Sequence, residues 1–420
     1  MKKLISLGVC LLAAGALFAD APTISDVTLS VGGRIVTVDY KLANGPAIVT
    51  AEFATNGVVV DCGWPFSMPG DVARVVTNET CKFCWTVDLS WPEADIVANG
   101  LSVTLKAWAL DTPPDYLMVD FSTPSNRLYF ASEQSLPGGI GNPVYRSSAV
   151  VMRHIPVSSD EWRMGCVSSY PYQGNASWET NHYVKMTKDY YIGVFPLTQG
   201  LYRYFGGKPQ VGGSGDARAH SVENGYPDGD LKPLTIVTFV TVRGSYNWPT
   251  DGHKVEASSL LGMLRTRSGV EFDFPTEVQW EYACRAGTET CNYAGSKSSD
   301  VNAVAWTSEN WRDDPACTSN QTHAVGQKRP NGFGLYDMLG NTYEFALDYF
   351  TSDLTSPEFY LDSVGPTNAL DSTKERVTRS GHWNQGASNS NAHYRRKCPQ
   401  TSGSVNNGFR LACPCPIETL

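Results

Sequence analysis

Apolar and polar residues alternate along much of segment 22–123. Every second position from Val36 to Leu42 carries a Val, Tyr or Leu, and more polar side chains lie between them. A period of two is typical of a half-buried β-strand. Short strands with this texture predict an immunoglobulin- or fibronectin-like β-sandwich over residues 20–123, without a catalytic cluster. Further strands are predicted at 47–54, 86–91 and 101–109, separated by the turn dipeptides Asn44-Gly45, Asn56-Gly57 and Asn99-Gly100.

The pattern changes after residues 124–147, a segment rich in proline and glycine that we interpret as a linker. Thr276 and Gln279 have the spacing of a capping box, which predicts that a helix begins there. A second helix is predicted over 254–268, with Gly269 placed to end it. The remaining sequence is rich in loops, so we expect an irregular α+β domain over residues 148–414 whose loops carry the function.

The first residues have the composition of a secretory signal. Lys2 and Lys3 precede an apolar run that ends at Phe18 and is followed by the small residue Ala19. The run is shorter than the roughly 20 residues that a membrane-spanning helix needs, so we interpret residues 1–19 as a cleaved signal peptide. The expected location is therefore secreted, either periplasmic or extracellular. No later apolar run predicts a transmembrane segment.

The composition limits the class of partner. The chain has 420 residues and a formal charge of -9, from 33 Lys plus Arg against 42 Asp plus Glu. This acidic balance offers no basic surface to phosphates, so we expect no nucleic-acid partner. At ~100–200 residues per domain, the length fits two or three domains.

The cysteines permit disulfides without fixing their pairing. Of 11 cysteines, Cys10 leaves with the signal peptide and ten remain, an even number in an oxidising compartment. Cys81 and Cys84 have the two-residue gap of a zinc knuckle or a redox pair, but no second pair or histidine lies near them in the sequence. A disulfide among Cys62, Cys81 and Cys84 within the sandwich is the simpler interpretation.

Five sequence blocks follow one another in the second region, at residues 189–199, 274–287, 331–344, 379–383 and 407–410. Through these blocks, residues of about 148–414 resemble the formylglycine-generating enzyme family, also called the sulfatase-modifying-factor family. The resemblance implies a variant of the C-type-lectin fold with little regular structure. The predicted sandwich lies outside it.

The resemblance also argues against the family's reaction. Members of the family that are oxidases carry two cysteines, five residues apart, that bind copper(I) and oxidise a substrate cysteine to formylglycine. Counted from Trp383, these positions hold Gln385 and Ser390, and neither side chain can ligate copper(I) or exchange disulfides. We therefore expect no copper and no catalytic residues of this type. The resemblance further implies a disulfide between Cys284 and Cys398.

A calcium site is the cofactor that the resemblance supports. The family places a calcium ion at four positions that correspond here to Asp337, Gly340, Thr342 and Glu344. Two carboxylates flank a tight turn in this stretch, and a hard cation prefers such oxygen ligands together with backbone carbonyls. The alternative is that Asp337 only caps a turn and Glu344 pairs with an arginine. We give the calcium interpretation preference.

Two functions of different class remain open. The first is a secreted binding protein that contacts an unknown protein or glycan through the loop 382–393, whose small polar residues around one aromatic ring are typical of adaptable binding surfaces. That loop is also similar to displayed lectin-fold loops that retroelements diversify. The second is an oxidase of sulfatase cysteines that uses relocated cysteines, with Cys284 and Cys398 as the candidates. The predicted ligand-binding residues are His382, Trp383, Asn384, Gln385, Asn389, Ser390 and His393.

The binding hypothesis makes a structural prediction about the loop. Gln385 and Ser390 should face solvent or a ligand, because the family's two thiols must be accessible to a peptide substrate. Trp383 either supplies apolar contact area to the ligand or packs in the core, and the sequence does not decide between the two. Arg379 and Arg410 are expected to tie irregular backbone together through their five N–H donors.

Overall fold

A computed structural model describes residues 20–415 apart from several short gaps. The gaps are 64–67, 88–99, 124–126, 159, 167–176, 208–228, 316, 318–320, 355, 357–358 and 371. The predicted signal peptide, residues 1–19, lies outside the described residues. In the part of the chain that is described, no helix is long and apolar enough to span a bilayer.

The N-terminal region is a two-sheet β-sandwich. One sheet has the strand order β1-β2-β6, and in the other β3 pairs with β4, β5 and β7. The alternating positions from Val36 to Leu42 point into a core between the sheets that also contains Phe53 and Trp85, as the period of two predicts. Strand β6 ends at Thr86, and most of the strand predicted at 86–91 lies outside the described residues. The strands are β1 (Thr23–Gly32), β2 (Ile35–Ala43), β3 (Ala47–Thr55), β4 (Val58–Val59), β5 (Arg74–Val76), β6 (Thr80–Thr86) and β7 (Leu101–Trp108).

The second region is an α+β domain with short strands and few helices, so the predicted fold class is confirmed. Its strands are β8 (Tyr116–Asp120), β9 (Arg127–Phe130), β10 (Ala149–Ile155), β11 (Trp162–Met164), β12 (His182–Val184), β13 (Tyr190–Gly193), β14 (Ala305–Trp306), β15 (Leu339–Gly340), β16 (Tyr343–Tyr349), β17 (Glu375–Arg379), β18 (Arg396–Pro399), β19 (Asn407–Gly408) and β20 (Ala412–Pro414). Its helices are α1 (Gln199–Tyr204), α2 (Phe239–Arg243), α3 (Leu260–Ser268), α4 (Glu277–Arg285) and α5 (Ser298–Val301).

The boundary between the regions lies earlier than the sequence pattern indicated. Strands β8 and β9 belong to a five-stranded sheet of the α+β domain, in the order β20-β13-β10-β8-β9. Segment 124–147 is therefore not a free linker where it is described, because β9 pairs with β8 and places Leu128, Tyr129 and Phe130 in the core. Pro137, Gly138 and Gly141 lie in turns between packed elements.

Two helices begin or end where the sequence predicts. Thr276 accepts from the backbone N–H of Gln279 and the Gln279 side chain accepts from Thr276 N–H, a complete capping box at the start of α4. Gly269 ends α3 in the left-handed conformation, with φ 65°. Helix α3 starts at Leu260, later than residue 254, because Ser259 caps it. Helix α4 packs against β16 and β17, the two strands that carry the site described next.

Candidate functional site

Helix α4 supplies two buried carboxylates beneath the 382–393 loop. Glu277 and Glu281 are four residues apart, so they lie on one face of the helix, and both are buried. Burial alone would raise the pKa of Glu281, but Arg285 and Arg379 outweigh it and lower that pKa to about 2. Arg379 Nη2 donates to Glu281 Oε2 at 2.5 Å, and Arg285 Nε donates to Glu281 Oε1 at 2.8 Å. Glu281 is therefore an ionised anchor for Arg285 of the same helix and for Arg379 of strand β17.

The 382–393 loop is fixed at both of its ends by this helix. Arg379 precedes the loop and Arg395 follows it. Arg379 Nη1 donates to Glu277 Oε1 at 2.5 Å, and Arg395 forms two bonds to the Glu277 carboxylate, at 2.5 and 2.7 Å. Arg379 also donates to the carbonyl of Ala392 inside the loop. The loop conformation is thus determined by buried ion pairs.

Most of the loop faces inward. Trp383, Ser390 and His393 are each 0% exposed, and His382 is 6% exposed. The prediction that Ser390 faces solvent or a ligand is therefore wrong. Of the two alternatives for Trp383, the structure shows core packing, because the side chain has no contact with solvent and the backbone N–H donates to the carbonyl of Asn341. His393 lies 3.6 Å from the equally buried carboxylate of Glu179.

The accessible part of the loop is a short polar rim. Asn384 and Ser388 are exposed, and Gln385, Gly386 and Asn389 are half-buried. Residues 387–389 form a single turn of 3-10 helix, which directs the Ser388 side chain outward. We refer to Asn384, Gln385, Ser388 and Asn389 as the polar rim.

Gln385 sits above a cluster of aromatic rings. Tyr343 Oη donates to Gln385 Oε1 at 2.8 Å, and Gln385 Nε2 donates to Tyr394 Oη at 3.4 Å. The rings of Tyr343 and Tyr394 are nearly parallel, and His382 packs edge-on against Tyr343 at 4.8 Å. Burial and the Arg396 charge lower the pKa of His382 to about 4, so its imidazole is neutral at neutral pH. The amide of Gln385 is thus held by two hydroxyl groups, a role that a thiol could not fill.

Ser390 occupies a tight site beside Gly381. A Cβ on Gly381, which has φ +79°, would lie 2.8 Å from Ser390 Oγ and 2.5 Å from the carbonyl of Asn389. Glycine is required at this position because of both the left-handed backbone and the close approach. Ser390 Oγ is buried and makes no hydrogen bond with any residue that the structure describes.

The stretch predicted to bind calcium is buried next to this loop. Glu344 pairs with Arg379 across the β16–β17 ladder, but its carboxylate accepts from Arg410 at 2.7 and 2.8 Å and from Trp280 Nε1 at 2.6 Å. Arg410 also donates to the carbonyls of Gly193, Tyr336 and Asp337. The pairing of Glu344 with an arginine is therefore present, and Arg410 ties irregular backbone together as expected.

Two observations on this stretch nevertheless fit a cation. Burial raises the pKa of the Asp337 carboxyl to about 6, although hydrogen bonds from the Gly326 N–H and the Asn341 side chain oppose the rise. Thr342 Oγ1 is buried without a hydrogen-bond partner among the described residues. Gly340 has φ 70°, and a Cβ there would lie 2.3 Å from the carbonyl of Trp306. A cation at Asp337, Gly340 and Thr342 would share Glu344 with Arg410.

The relocated cysteines do not meet. Cys284 and Cys398 are not joined in a disulfide, because they lie in different hydrophobic clusters. Cys284 Sγ is 3.9 Å from the carbonyl of Met338, whereas Cys398 Sγ accepts from Asn407 Nδ2 at 3.0 Å. The expected disulfide among Cys62, Cys81 and Cys84 is also not formed. Cys81 and Cys84 are three residues apart on strand β6 and therefore lie on opposite faces of it.

Sequence reasoning missed the groups that shape the site. Glu277, Glu281, Tyr343, Tyr394 and Arg395 were not identified as functional. The i, i+4 carboxylates inside an otherwise amphipathic helix were a usable signal, since buried Glu requires a cationic partner.

Residues 156–414 match the family model described as the sulfatase-modifying factor enzyme 1-like domain. The chain is 24% identical over 250 residues to the chaperone protein LppX of Paenibacillus barcinonensis, a match that covers 53% of this chain and 79% of that protein. It is 29% identical over 150 residues to the formylglycine-generating enzyme of Mus musculus, covering 33% of this chain and 38% of the mouse enzyme.

Among solved structures, PvdO from Pseudomonas aeruginosa superposes with a TM-score of 0.49 and 19% identity, over 63% of this chain and 94% of PvdO. Treponema denticola variable protein 1 superposes with a TM-score of 0.44 and 22% identity, over 64% of this chain and 96% of that protein.

Proposed function

The chain belongs to the sulfatase-modifying-factor family, and from that membership we propose that it is a secreted, non-oxidising member that binds a ligand through its polar rim. The single observation that carries this proposal is which residues occupy the two positions where the family resemblance expects thiols, and what surrounds them. One is Gln385, held between Tyr343 and Tyr394. The other is Ser390, which is fully buried.

The state of the other cysteines supports the same proposal. Burial raises the pKa of the Cys284 thiol to about 12 and also raises that of Cys398. The thiolate is the form that attacks a disulfide or ligates copper(I), so a thiol with a raised pKa is a poor redox group. The alternative function, an oxidase with relocated cysteines, would need Cys284 and Cys398 to approach each other from two separate cores.

The binding role is supported by the way the rim is held. Ion pairs from Arg379 and Arg395 to Glu277 fix the loop before any ligand arrives, and a preorganised surface loses less conformational entropy on binding. Exposed amide and hydroxyl groups on a rigid base favour a polar ligand that is recognised by hydrogen bonds. A glycan or the backbone of a polypeptide has this chemistry.

The ligand test uses a combined glycan and peptide array. We expect the purified protein to retain a subset of ligands, and Asn384→Ala and Ser388→Ala to weaken retention at least several-fold. Matched controls are Asn368→Ala and Ser402→Ala, which replace exposed residues outside the rim and should bind as the unmodified protein does. If the rim variants bind every retained ligand normally, the polar rim is not the binding surface.

The oxidase test is independent of the array. The protein is incubated with a sulfatase-type cysteine peptide, copper and oxygen, with a formylglycine-generating enzyme as positive control. We expect no mass change from cysteine to the aldehyde. Appearance of the aldehyde would contradict the non-oxidising proposal even if the rim binds a ligand.

We also propose a structural calcium ion at Asp337, Gly340, Thr342 and Glu344. The buried carboxyl of Asp337, with its raised pKa, and the unpartnered hydroxyl of Thr342 support it. When bound, the ion would supply positive charge to Asp337 and would connect strands β15 and β16. Removal of calcium should therefore lower the thermal stability of the domain.

A further inference from the structure

A second cluster of possible metal ligands lies outside both the polar rim and the calcium stretch. Asp314, Cys317 and His323 each offer one ligand atom, and these three atoms lie within 4.8 Å of one another. Asp314 and Cys317 are each 9% exposed and His323 is 0% exposed. The cluster is thus just below the surface, where an ion can enter without unfolding of the domain.

The imidazole of His323 is oriented for ligation. Its Nε2 lies 3.3 Å from the carbonyl of Trp311, a contact that places the ring proton on Nε2 and leaves the lone pair on Nδ1. Nδ1 is buried and has no hydrogen-bond partner in the described part of the chain. A donated N–H to a carbonyl is also the usual way in which a metal-binding histidine is fixed.

The surrounding residues hold the cluster in place. The ring of His323 stacks on Trp306 at 3.9 Å with an interplanar angle of 6°. The backbone of His323 donates to and accepts from the side chain of Asn341, at 3.0 and 3.1 Å. The N–H of Cys317 donates to the carbonyl of Asp314 at 3.0 Å, which closes a turn that brings both side chains together.

The surroundings of Cys317 would stabilise the thiolate that forms when a metal ion binds. Gln321 Nε2 donates toward Cys317 Sγ at 3.0 Å, and a sulfur atom accepts more strongly when it is charged. The amide oxygen of Gln321 is buried without a partner among the residues described. Gln321 therefore either supports the thiolate from behind or offers a further oxygen to an ion.

We propose that Asp314, Cys317 and His323 bind a divalent transition-metal ion, and that zinc is the ion that they fit best. One thiolate, one imidazole nitrogen and one carboxylate oxygen match the borderline-soft character of zinc and are poor ligands for calcium. Tetrahedral zinc places its ligand atoms roughly 3.3–3.8 Å apart, a separation that small side-chain rotations reach from the observed cluster. Water fills the fourth position.

The binding step is simple in its charge balance. The ion displaces the proton of the Cys317 thiol to solvent, and the thiolate and the carboxylate together neutralise its two positive charges. No oxidation or reduction takes place. Because Asn341 also accepts the N–H of Trp383 through its backbone carbonyl, the ion would brace the segment that underlies the 382–393 loop.

The test uses the full secreted chain, reduced and stripped with a chelator. Zinc is added as the only transition metal, in a buffer that contains excess calcium. Unbound metal is removed by dialysis, and the bound zinc is measured by elemental mass spectrometry. In parallel, cobalt(II) is added as a spectroscopic probe. We expect one zinc per chain and a near-ultraviolet band from thiolate-to-cobalt charge transfer.

Variants identify the ligands. Cys317→Ser should abolish the cobalt band and weaken zinc binding at least a hundredfold, whereas Cys398→Ser, at the same 9% exposure, should retain both. Asp314→Asn should keep the band and bind zinc on the order of 10- to 100-fold more weakly. The proposal is overturned if the reduced wild-type protein takes up no zinc, if Cys317→Ser keeps the band, or if Cys398→Ser loses it. The wild-type measurements decide the matter even if a variant fails to fold.

Discussion

Arg379 and Arg395 donate to the same carboxylate oxygen, Oε1 of Glu277, each at 2.5 Å. They stand at opposite ends of the 382–393 loop, so one glutamate on α4 joins the start of the loop to its end. The backbone N–H of Glu277 in turn donates to Asp348 Oδ2 at 2.7 Å. A loop built from small polar residues is thereby held by one buried carboxylate, which precedes the two arginines by 102 and 118 residues in the sequence.

The first prediction is that Glu277→Gln strongly destabilises the α+β domain. The substitution leaves two buried guanidinium groups without their shared counter-charge, and breaking a buried ion pair from one side costs about 3–5 kcal/mol. The measurement is the free energy of unfolding in a chemical denaturant.

Glu375→Gln is the matched control for that experiment. Glu375 pairs with Lys397, and these side chains are 21% and 40% exposed, so the loss should stay within about 1 kcal/mol. Equal losses in the two variants would mean that the ion pairs of Glu277 do not hold the loop.

The second prediction is that Arg410→Lys lowers the unfolding free energy by at least about 2 kcal/mol. An ammonium group cannot replace the fork that reaches Glu344 and three backbone carbonyls, and each buried group left unsatisfied costs roughly 1–3 kcal/mol. Arg163→Lys, which changes an exposed arginine, should stay within about 0.5 kcal/mol. If the Arg410→Lys protein kept its stability but no longer retained ligands on the array, Arg410 would have a role in binding instead.

The local elements could be predicted because their signals are local. The capping box of Thr276 and the left-handed Gly269 act over three or four residues, and the alternation from Val36 to Leu42 is a property of a single strand. The domain boundary could not be read in the same way. Strands β8 and β9 are short runs that are buried at nearly every position and do not alternate. The strand that joins them to the α+β domain is β10, which pairs with β8 and lies beyond the prolines that suggested a linker.

The burial of the loop could not be predicted because its cause is not local. A run of Asn, Gln, Ser and Gly has the composition of a solvated loop, and on that basis Ser390 was expected to be accessible. In the structure, Arg379 and Arg395 hold the ends of the run on α4, so residues 382–383 and 390–393 are buried while the polar rim between them stays outside. The sequence identifies the two positions that lack thiols, but it does not show how deeply each is buried.

The third prediction concerns calcium and pH. The raised pKa of Asp337, about 6, means that the folded protein holds a proton between about pH 4 and 6 that the unfolded chain has lost. The stability that this protonation contributes is present at low pH and is lost as the pH rises through about 6. Calcium binds the charged form, so below pH 6 its affinity should fall by up to about tenfold per pH unit.

The measurement is the shift in thermal midpoint on adding calcium to chelator-treated protein, at about pH 7.5 and at about pH 5. We expect the larger shift at pH 7.5. Asp337→Asn, which does not titrate, should respond to calcium equally at both pH values. A shift that is absent at both pH values in the wild-type protein would remove the calcium proposal.

The fourth prediction separates stability from binding within the loop. Trp383→Ala should cost about 3–5 kcal/mol because its ring is fully buried, whereas Asn384→Ala should change the unfolding free energy by no more than about 0.5 kcal/mol. On the array, only the Asn384 variant should weaken binding while remaining folded. A Trp383→Ala protein of normal stability would mean that the ring is not part of the core.

The last prediction is that Ser390 can be replaced without loss, although it is as buried as any residue of the loop. A buried hydroxyl normally contributes through its hydrogen bond, and its removal leaves the partner unsatisfied at a cost of roughly 1–3 kcal/mol. Ser390 Oγ has no such partner among the described residues. Ser390→Ala and Ser390→Cys should therefore leave the unfolding free energy within about 0.5 kcal/mol of wild type, or raise it.

Ser380→Ala is the matched control for this prediction. Ser380 is also 0% exposed, but it donates to the carbonyl of Gly340 at 3.0 Å, so its removal should show the full cost. If both variants lost the same unfolding free energy, Ser390 would have a hydrogen-bond partner in solution. Replacing a thiol by a hydroxyl at this position would then have affected stability.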